Sequence, residues 1–426
     1  MTAPHPRPDG ARLARAALTR LVEPGDELAV QTVAALGPER ALALLTGRDR
    51  LQPAERDLLS DHAGSGPALG RRWSAGLARW APRAERLDPA RDLVALHRIG
   101  GGLLIPEDDA WPAALHDLGA AAPLGLWFRG AGTLPAAARA LAVVGSREAT
   151  AYGRQVTSAV ASRAVRAGAC VVSGGAYGID GAAHRAALDA ARDLRPGHAD
   201  AGAPGPVPTV AVLAGGLDRF YPAGHEDMLR AVMEAGLLLS EMPPGASPTR
   251  YRFLHRNRLI AALSGAVVVV EARWRSGAQN TAGHALALGR EVGVVPGPIT
   301  SPSSAGCHRL LQEAPVRLVA DPAQALDLLP PDRGAGGGPG RSDAVADAPA
   351  AALAEPAHES TARPTDGLSV EELLVCEALP VRRAVDVDAL TVSAGLSLPT
   401  VLAVLTRLAR RGLAERVDDR WRRTAG

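Results

Sequence analysis

The chain has 426 residues, 47% hydrophobic and 22% charged, which allows two to four domains of ordinary soluble composition. A formal net charge of +2 excludes a global basic field, so any nucleic-acid site must be a local patch. Three widely spaced cysteines without a CxxC pair argue against a disulfide framework or a zinc site, and no run approaches the ~20 apolar residues of a membrane span.

The N-terminus, MTAPHPRPDG, lacks the apolar core of a signal peptide, so a cytoplasmic protein is expected. Residues 1–100 read as a helical domain, of helix-hairpin or SAM-like type. Its Ala- and Leu-rich amphipathic stretches are broken at Pro24-Gly25 and Gly37-Pro38. A contact to DNA backbone and a plain adaptor role fit this segment equally well.

From about residue 140 the pattern changes to short β-branched runs, each followed by Gly or Ser and then an amphipathic stretch. The strand candidates are LAVVG (141–145), CVVSG (170–174), TVAVLAGG (209–216), LLLSE (237–241), AVVVVEA (266–272) and EVGVVPG (291–297). Such continuous apolar strands suit a sheet covered on both faces, and their alternation with helices predicts an α/β core. The expected fold over 101–325 is a Rossmann-like, doubly wound, mostly parallel sheet. A Pro/Gly/Ala-rich insertion occupies 191–209, and 326–367 reads as a disordered linker. Residues 368–426 read as three helices and a hairpin, the order of a winged-helix domain. Nine Arg there face eight Asp plus Glu, so a protein contact is at least as well supported as a DNA contact.

In an open parallel sheet, ligands sit beyond the carboxyl ends of the strands. Those ends carry Gly145-Ser146-Arg147, Ser173-Gly174-Gly175-Ala176-Tyr177-Gly178, Gly215-Gly216 and Pro296-Gly297-Pro298. Glycine admits close approach of an anion, the following helix N-termini offer N–H groups, and Arg147 could fork onto a phosphate. Tight βα turns need glycine too, but several such loops on one edge favour phosphate binding. A dinucleotide site fits poorly: Ser173 stands where its first glycine is needed, and no acid ends the next strand.

The densest basic and aromatic window is SPTRYRFLHRNR (247–258), holding Arg250, Arg252, Arg256 and Arg258 with Tyr251 and Phe253 and no acid. Arg for phosphates beside aromatic faces for bases is what sequence-tolerant single-strand binding needs. The competing reading pairs some of these Arg with Glu241 or Glu271 and makes Phe253 core. Arg256, Asn257 and Arg258 open an expected helix, RNRLIAALS, and count among the DNA-binding candidates, with one Arg of the pair expected to serve structure. Catalytic constellations are poor: Asp180 and His184 have no nucleophile beside them, and Glu241 and Glu271 have no accompanying metal ligands. No catalytic residue, cofactor or metal is expected.

These motifs resemble the DNA-processing protein A (DprA/Smf) family. The likeness runs from Ile105-Pro106 through VVGSREATAYG (143–153), VVSGGAYGIDGAAHRAAL (171–188) and VAVLAGGLDRFYP (210–222) to FLHRNRLIAALSG and SGAQNTA in 253–297. It covers about 200 residues in order, and SGGAYGID, RNRLIAALS and SGAQNTA together are highly specific. The resemblance implies a non-catalytic homodimer that binds and protects single-stranded DNA and helps load the RecA recombinase in natural transformation. It implies that Gly145, Ser146, Arg147, Ser173, Gly174, Gly175 and Gly178 hold phosphates, that Arg250 is a basic contact and that Phe253 meets a base. His225, His308 and the long 191–209 insertion depart from the family pattern. The alternative is a nucleotide-binding or nucleotide N-glycosidase-type enzyme of related fold, whose PGGxGT loop is replaced here by Pro296-Gly297-Pro298-Ile299.

Overall fold

Alternate residues of each apolar run are buried on opposite faces of one nine-stranded sheet, so both faces must be covered. In the computed structural model, which describes residues 9–63, 67–130, 132–194, 207–331, 368–381, 384–394 and 396–424, helices cover them. Among the described residues, six helices precede the sheet: α1 (Gly10–Leu21), α2 (Glu27–Leu36), α3 (Pro38–Leu45), α4 (Pro53–Ala63), α5 (Pro67–Ala84) and α6 (Pro89–His97). Asp9 and Asp26 cap α1 and α2, and Pro38 opens α3, as the turn signals predict. Then come β1 (Gly101–Leu104), β2 (Leu126–Gly130), β3 (Ala140–Val144), α7 (Ala151–Arg166), β4 (Cys170–Ser173) and α8 (Ile179–Asp193). They are followed by β5 (Thr209–Leu213), α9 (Glu226–Ala235), β6 (Leu237–Ser240), α10 (Arg250–Ala262) and β7 (Ala266–Val269). The sheet region closes with α11 (Gly277–Ala287), β8 (Glu291–Val294), α12 (Ala305–Glu313) and β9 (Arg317–Leu318).

The strand order is β1-β2-β6-β5-β4-β3-β7-β8-β9, with β6 through β9 parallel and β1 and β2 antiparallel. The order reverses between β3 and β7, the switch point of a doubly wound fold. All six expected strands are present. Ala140, Ala142 and Val144 of β3 face a core shared with α10 and α11, whereas Leu141 and Val143 face α7 and α8. Strands β1, β2 and β9 were not expected.

The 100/101 boundary is not a gap in packing. Ala16 of α1 and Leu96 of α6 share one hydrophobic cluster with Leu103, Trp127, Leu213 and Leu238 of the sheet. Arg12 forks onto Asp108 (2.5 and 3.0 Å), Arg15 reaches Glu107 (2.8 Å), and Trp127 Nε1 donates to Thr19 Oγ1 (3.1 Å).

Two expected irregular segments need comment. The linker expected at 326–367 begins too early, because Leu328 is 2% exposed and Leu326 and Leu329 pack against the α7–α8 side of the sheet. Those leucines are apolar side chains within reach of that core, and the surrounding Pro/Gly-rich composition concealed them. The remainder, 332–367, and residues 195–206 of the insertion lie outside the described residues. Beyond them, α13 (Val370–Ala378), α14 (Val387–Ala394) and α15 (Leu398–Arg410) lead into the antiparallel hairpin β10 (Ala414–Val417) and β11 (Arg420–Arg423). Three helices then a hairpin is the expected order. Their own core receives Tyr251 of α10 on its flank.

Candidate nucleic-acid interface

The loops after β3, β4, β5 and β6 converge on a cleft of about 260 Å³. It is lined by Arg147, Gly174 and Tyr177, by the loop from Gly215 to Pro222, by Gly245 to Pro248 and by Phe253. That size is near the lower end of ligand pockets, ~300–1,000 Å³. The chain has only four Tyr and three Phe, and Tyr177, Phe220, Tyr221 and Phe253 all line this one cleft. Arg147 is exposed, with its guanidinium 4.8 Å from the Phe253 ring centroid, and Tyr221 lies 5.8 Å from the same ring at a 50° tilt. The site therefore presents cationic planes and aromatic faces side by side.

The glycine loops contribute shape more than free donors. Gly178 sits at φ +76°, and a Cβ there would lie 2.2 Å from Ser146 O, so the turns after β3 and β4 can press together only at a glycine. Ile179 N–H donates to that same Ser146 carbonyl (3.1 Å), and Ser146 N–H donates to Glu271 O (2.7 Å). Gly174 has no side chain because the Arg256 guanidinium occupies that space. Gly145 abuts Ile179, Gly175 turns at φ +67° beside Leu213, and the buried Ser173 hydroxyl donates to Val143 O (2.7 Å). At the switch point, the Glu271 carboxylate accepts from both the backbone N–H and the hydroxyl of Thr150, the cap of α7. A helix start that would suit an anion is thus already occupied by a carboxylate.

The basic window is one continuous helix from Arg250, capped by Thr249, and a helix sends its side chains in different directions. Phe253 is half-buried and lines the cleft; Arg250, also half-buried, is not among its lining residues. Arg252 forks onto Glu23 (2.9 and 2.7 Å). Arg256, 5% exposed, donates to Gly174 O and Val212 O, and burial lowers its pKa to about 10 despite the nearby Asp180. Asn257 bonds Gly277 O and Asn280 (3.2 and 3.1 Å), and Arg258 forks onto Glu241 at 2.6 Å through both arms. Arg256, Asn257 and Arg258, expected to meet DNA, are instead buried among protein partners, and the Nε of Arg256 is buried without one. Glu241 is held by Arg258 and Glu271 by Thr150.

Sequence reasoning missed Tyr177 and Tyr221, both about half exposed at 48% and 50%. They belong to loops after different strands, and only the strand order brings them together. His225, a departure from the family pattern, backs Tyr177 edge-on at 4.7 Å and bonds Gly175 O. Burial, more than any partner charge, holds the His184 imidazole down to about pKa 3 against Thr209, a packed core role. Among the described residues there is no group of three or more side chains suited to hold a metal, and no helix long and apolar enough to cross a membrane.

Comparison with known proteins places these features in a family. Residues 102–330 match the family described as DNA recombination-mediator protein A. A Mycobacterium tuberculosis protein named as DNA processing protein DprA is 46% identical over 344 residues, covering 78% of this chain and 79% of its own length. The Bacillus subtilis DNA processing protein DprA is 35% identical over 203 residues, covering 48% of this chain and 62% of its own. The crystal structure of DNA processing protein A from Streptococcus pneumoniae superposes with a TM-score of 0.55 at 27% identity, covering 75% of this chain and 98% of that one.

Proposed function

The chain belongs to the DNA recombination-mediator protein A family, and on that premise we propose that it binds single-stranded DNA in the cleft beyond β3 to β6. Arg147 and Arg250 neutralise phosphates, and Phe253, Tyr177 and Tyr221 offer faces on which unpaired bases stack. The carrying observation is the concentration of four of the chain's seven Tyr and Phe residues in one Arg-edged cleft. Gly145, Ser146, Ser173, Gly174, Gly175 and Gly178 act by shaping the two pressed turns beneath the strand. In this reading the protein is a non-catalytic, cytoplasmic homodimer that protects incoming DNA and passes it to the RecA recombinase during transformation.

The test is a titration against matched single-stranded and duplex oligonucleotides and free nucleotides. Tighter binding of the single strand is expected, because duplex bases cannot unstack onto Phe253. Equal affinity for single and double strands sinks the reading, and tight binding of a free nucleotide with its turnover supports the N-glycosidase-type alternative.

A further inference from the structure

The rim of the cleft is the segment Pro243-Pro244-Gly245-Ala246-Ser247-Pro248 between β6 and α10, which has no regular hydrogen-bond ladder of its own. The loop after β5 holds it in two places: Gly216 N–H donates to Ala246 O (2.8 Å), and Gly245 N–H donates to an Asp218 carboxylate oxygen (2.6 Å). Two further attachments come through guanidinium groups that answer to the N-terminal helical unit. Arg20, in α1, donates to Pro244 O (2.7 Å) while forked onto Asp92 of α6 (2.6 and 2.7 Å). Arg252 donates to Ser247 O (2.7 Å) while forked onto Glu23, just past α1 (2.9 and 2.7 Å). A guanidinium fixed by a carboxylate along one edge has its remaining N–H groups aimed at a fixed point. Both carboxylates therefore set the direction of a bond to the rim without reaching the cleft themselves.

Resting on the single-strand reading of the cleft, we propose that Arg20 and Glu23 are positioning residues for DNA binding, holding the 243–248 rim in the shape that admits a strand. Glu23 is well placed for this. Its side chain is 11% exposed, and Arg83 of α5 shares the carboxylate while also donating to Ser393 O of α14 at 3.4 Å. Without Glu23, Arg252 becomes an uncompensated buried charge, which turns toward water and releases Ser247. Arg20 is less buried, 28% exposed along its side chain, but its loss strands the Asp92 carboxylate at 11% exposure, whereas Arg20→Lys keeps a cation beside Asp92 and loses only the fork.

The experiment uses the full chain with Arg20→Ala, Arg20→Lys, Glu23→Gln and Phe253→Ala. A labelled thymidine oligonucleotide reports affinity and its salt dependence, and hydrogen exchange reports the amides of Gly216 and Gly245. Arg20→Ala and Glu23→Gln are each expected to weaken binding roughly tenfold, the loss of one charge-assisted bond. The salt slope should stay unchanged, because neither side chain touches phosphate, and both rim amides should exchange faster. Arg20→Lys, which keeps a cation near Pro244 O, should recover part of the affinity. Phe253→Ala should weaken binding with rim exchange unaltered. If folded Arg20→Ala keeps wild-type affinity or wild-type rim exchange while Phe253→Ala loses binding, the positioning role is wrong and the cleft reading stands. If Phe253→Ala binds as wild type, the cleft reading itself fails and the inference falls with it. Should Glu23→Gln or Arg20→Ala not fold, Arg20→Lys decides: weaker binding with faster rim exchange is expected, and wild-type values of both overturn the positioning role.

Discussion

Two Arg-rich regions of the molecule differ in composition, one without acids and one nearly neutral, yet the structure pairs arginines in both, inside the protein in one and in water in the other. Helix α10 carries Arg250, Arg252, Arg256 and Arg258 with no acid in its own window, yet three of the four are buried at 7%, 5% and 2% exposure. Their partners come from elsewhere in the chain: Glu23, the carbonyls of Gly174 and Val212, and Glu241. The hairpin β10–β11 carries Arg416, Arg420, Arg422 and Arg423, interleaved with Glu415, Asp418 and Asp419. Arg416 and Arg422 there pair locally and in the open, at 59% and 41% side-chain exposure. An Arg cluster lacking local acids is thus no guide to a free basic face, since distant acids can claim it. What marks the proposed interface is the exposed Arg147 against an aromatic ring, a single residue from a different loop.

The comparison breaks first, and by the largest margin, at Arg258. If its role is to neutralise Glu241 inside the protein, Arg258→Ala leaves a carboxylate with 10% side-chain exposure and no counterion. Removing one partner of such a pair costs about 3–5 kcal/mol of stability. Urea unfolding should therefore report a large loss. A stable variant with weakened DNA binding would return Arg258 to the interface.

The second effect follows from Glu23. Burial would raise its carboxyl, but the attraction of Arg252 and Arg83 outweighs burial and brings it down from 4.5 to about 2. A depressed folded-state value means stability that is fully present above about pH 4.5 and is lost as pH falls toward 2. The contribution is on the order of 3 kcal/mol. Denaturation midpoints measured between pH 5 and 3 should fall steeply in the wild type. They should fall less in Glu23→Gln, which is already destabilised at neutral pH. Parallel pH profiles for the two proteins would remove Glu23 from the account.

How far the sequence disclosed this arrangement depended on whether the signal was local. Six strands were legible because a strand buried on both faces is a run of apolar residues, needing no knowledge of its neighbours. The antiparallel β1 and β2, GGLL and LWFRG, are short and bear little such signature. The start of α10 was placed six residues late, at Arg256, because residues 250–255 show no apolar period, although Pro248-Thr249 carried a cap signal. Phe253 and Arg147 were legible as site candidates because each sits in a motif with its own composition cue. Tyr177 and Tyr221 were not, because their convergence is a property of strand order. The destinations of Arg252 and Arg258 were undecidable locally: Glu23 lies 229 residues from Arg252 in the chain.

The third effect separates stacking from charge within the cleft. Phe253→Ala should cost about 1–3 kcal/mol of single-strand affinity with the salt slope unchanged. Arg147→Ala should weaken every sequence alike and flatten the log–log salt dependence by roughly 0.7. Thermal melts must accompany both, since Phe253 is partly buried beside Tyr221 and Arg256. An Arg147→Ala protein that is folded and unchanged in affinity and slope would show that the guanidinium stacks on Phe253 for structure alone.

The smallest effect is expected at the C-terminal hairpin, and it is the most direct check on what Arg density means. The pairs Arg416–Asp419 and Arg422–Glu415 lie in water, so each contributes no more than about 1 kcal/mol to stability. With three acids among its four arginines, the hairpin offers a strand almost no net field. Replacing Arg416 and Arg422 together by Ala should therefore leave the melting temperature, the single-strand affinity and the salt slope nearly where they were. If those two side chains instead met phosphates, the double variant would flatten the slope by roughly 1.4, twice the single-contact value. That result would assign the C-terminal unit a DNA contact of its own. A chain ending after residue 331, which keeps Leu326 and Leu328 in the core, should then bind more weakly than the full chain. With the slope unchanged in the double variant, the shortened chain should bind single strands as the full chain does, and the hairpin's arginines are left to pair with their neighbours or with protein.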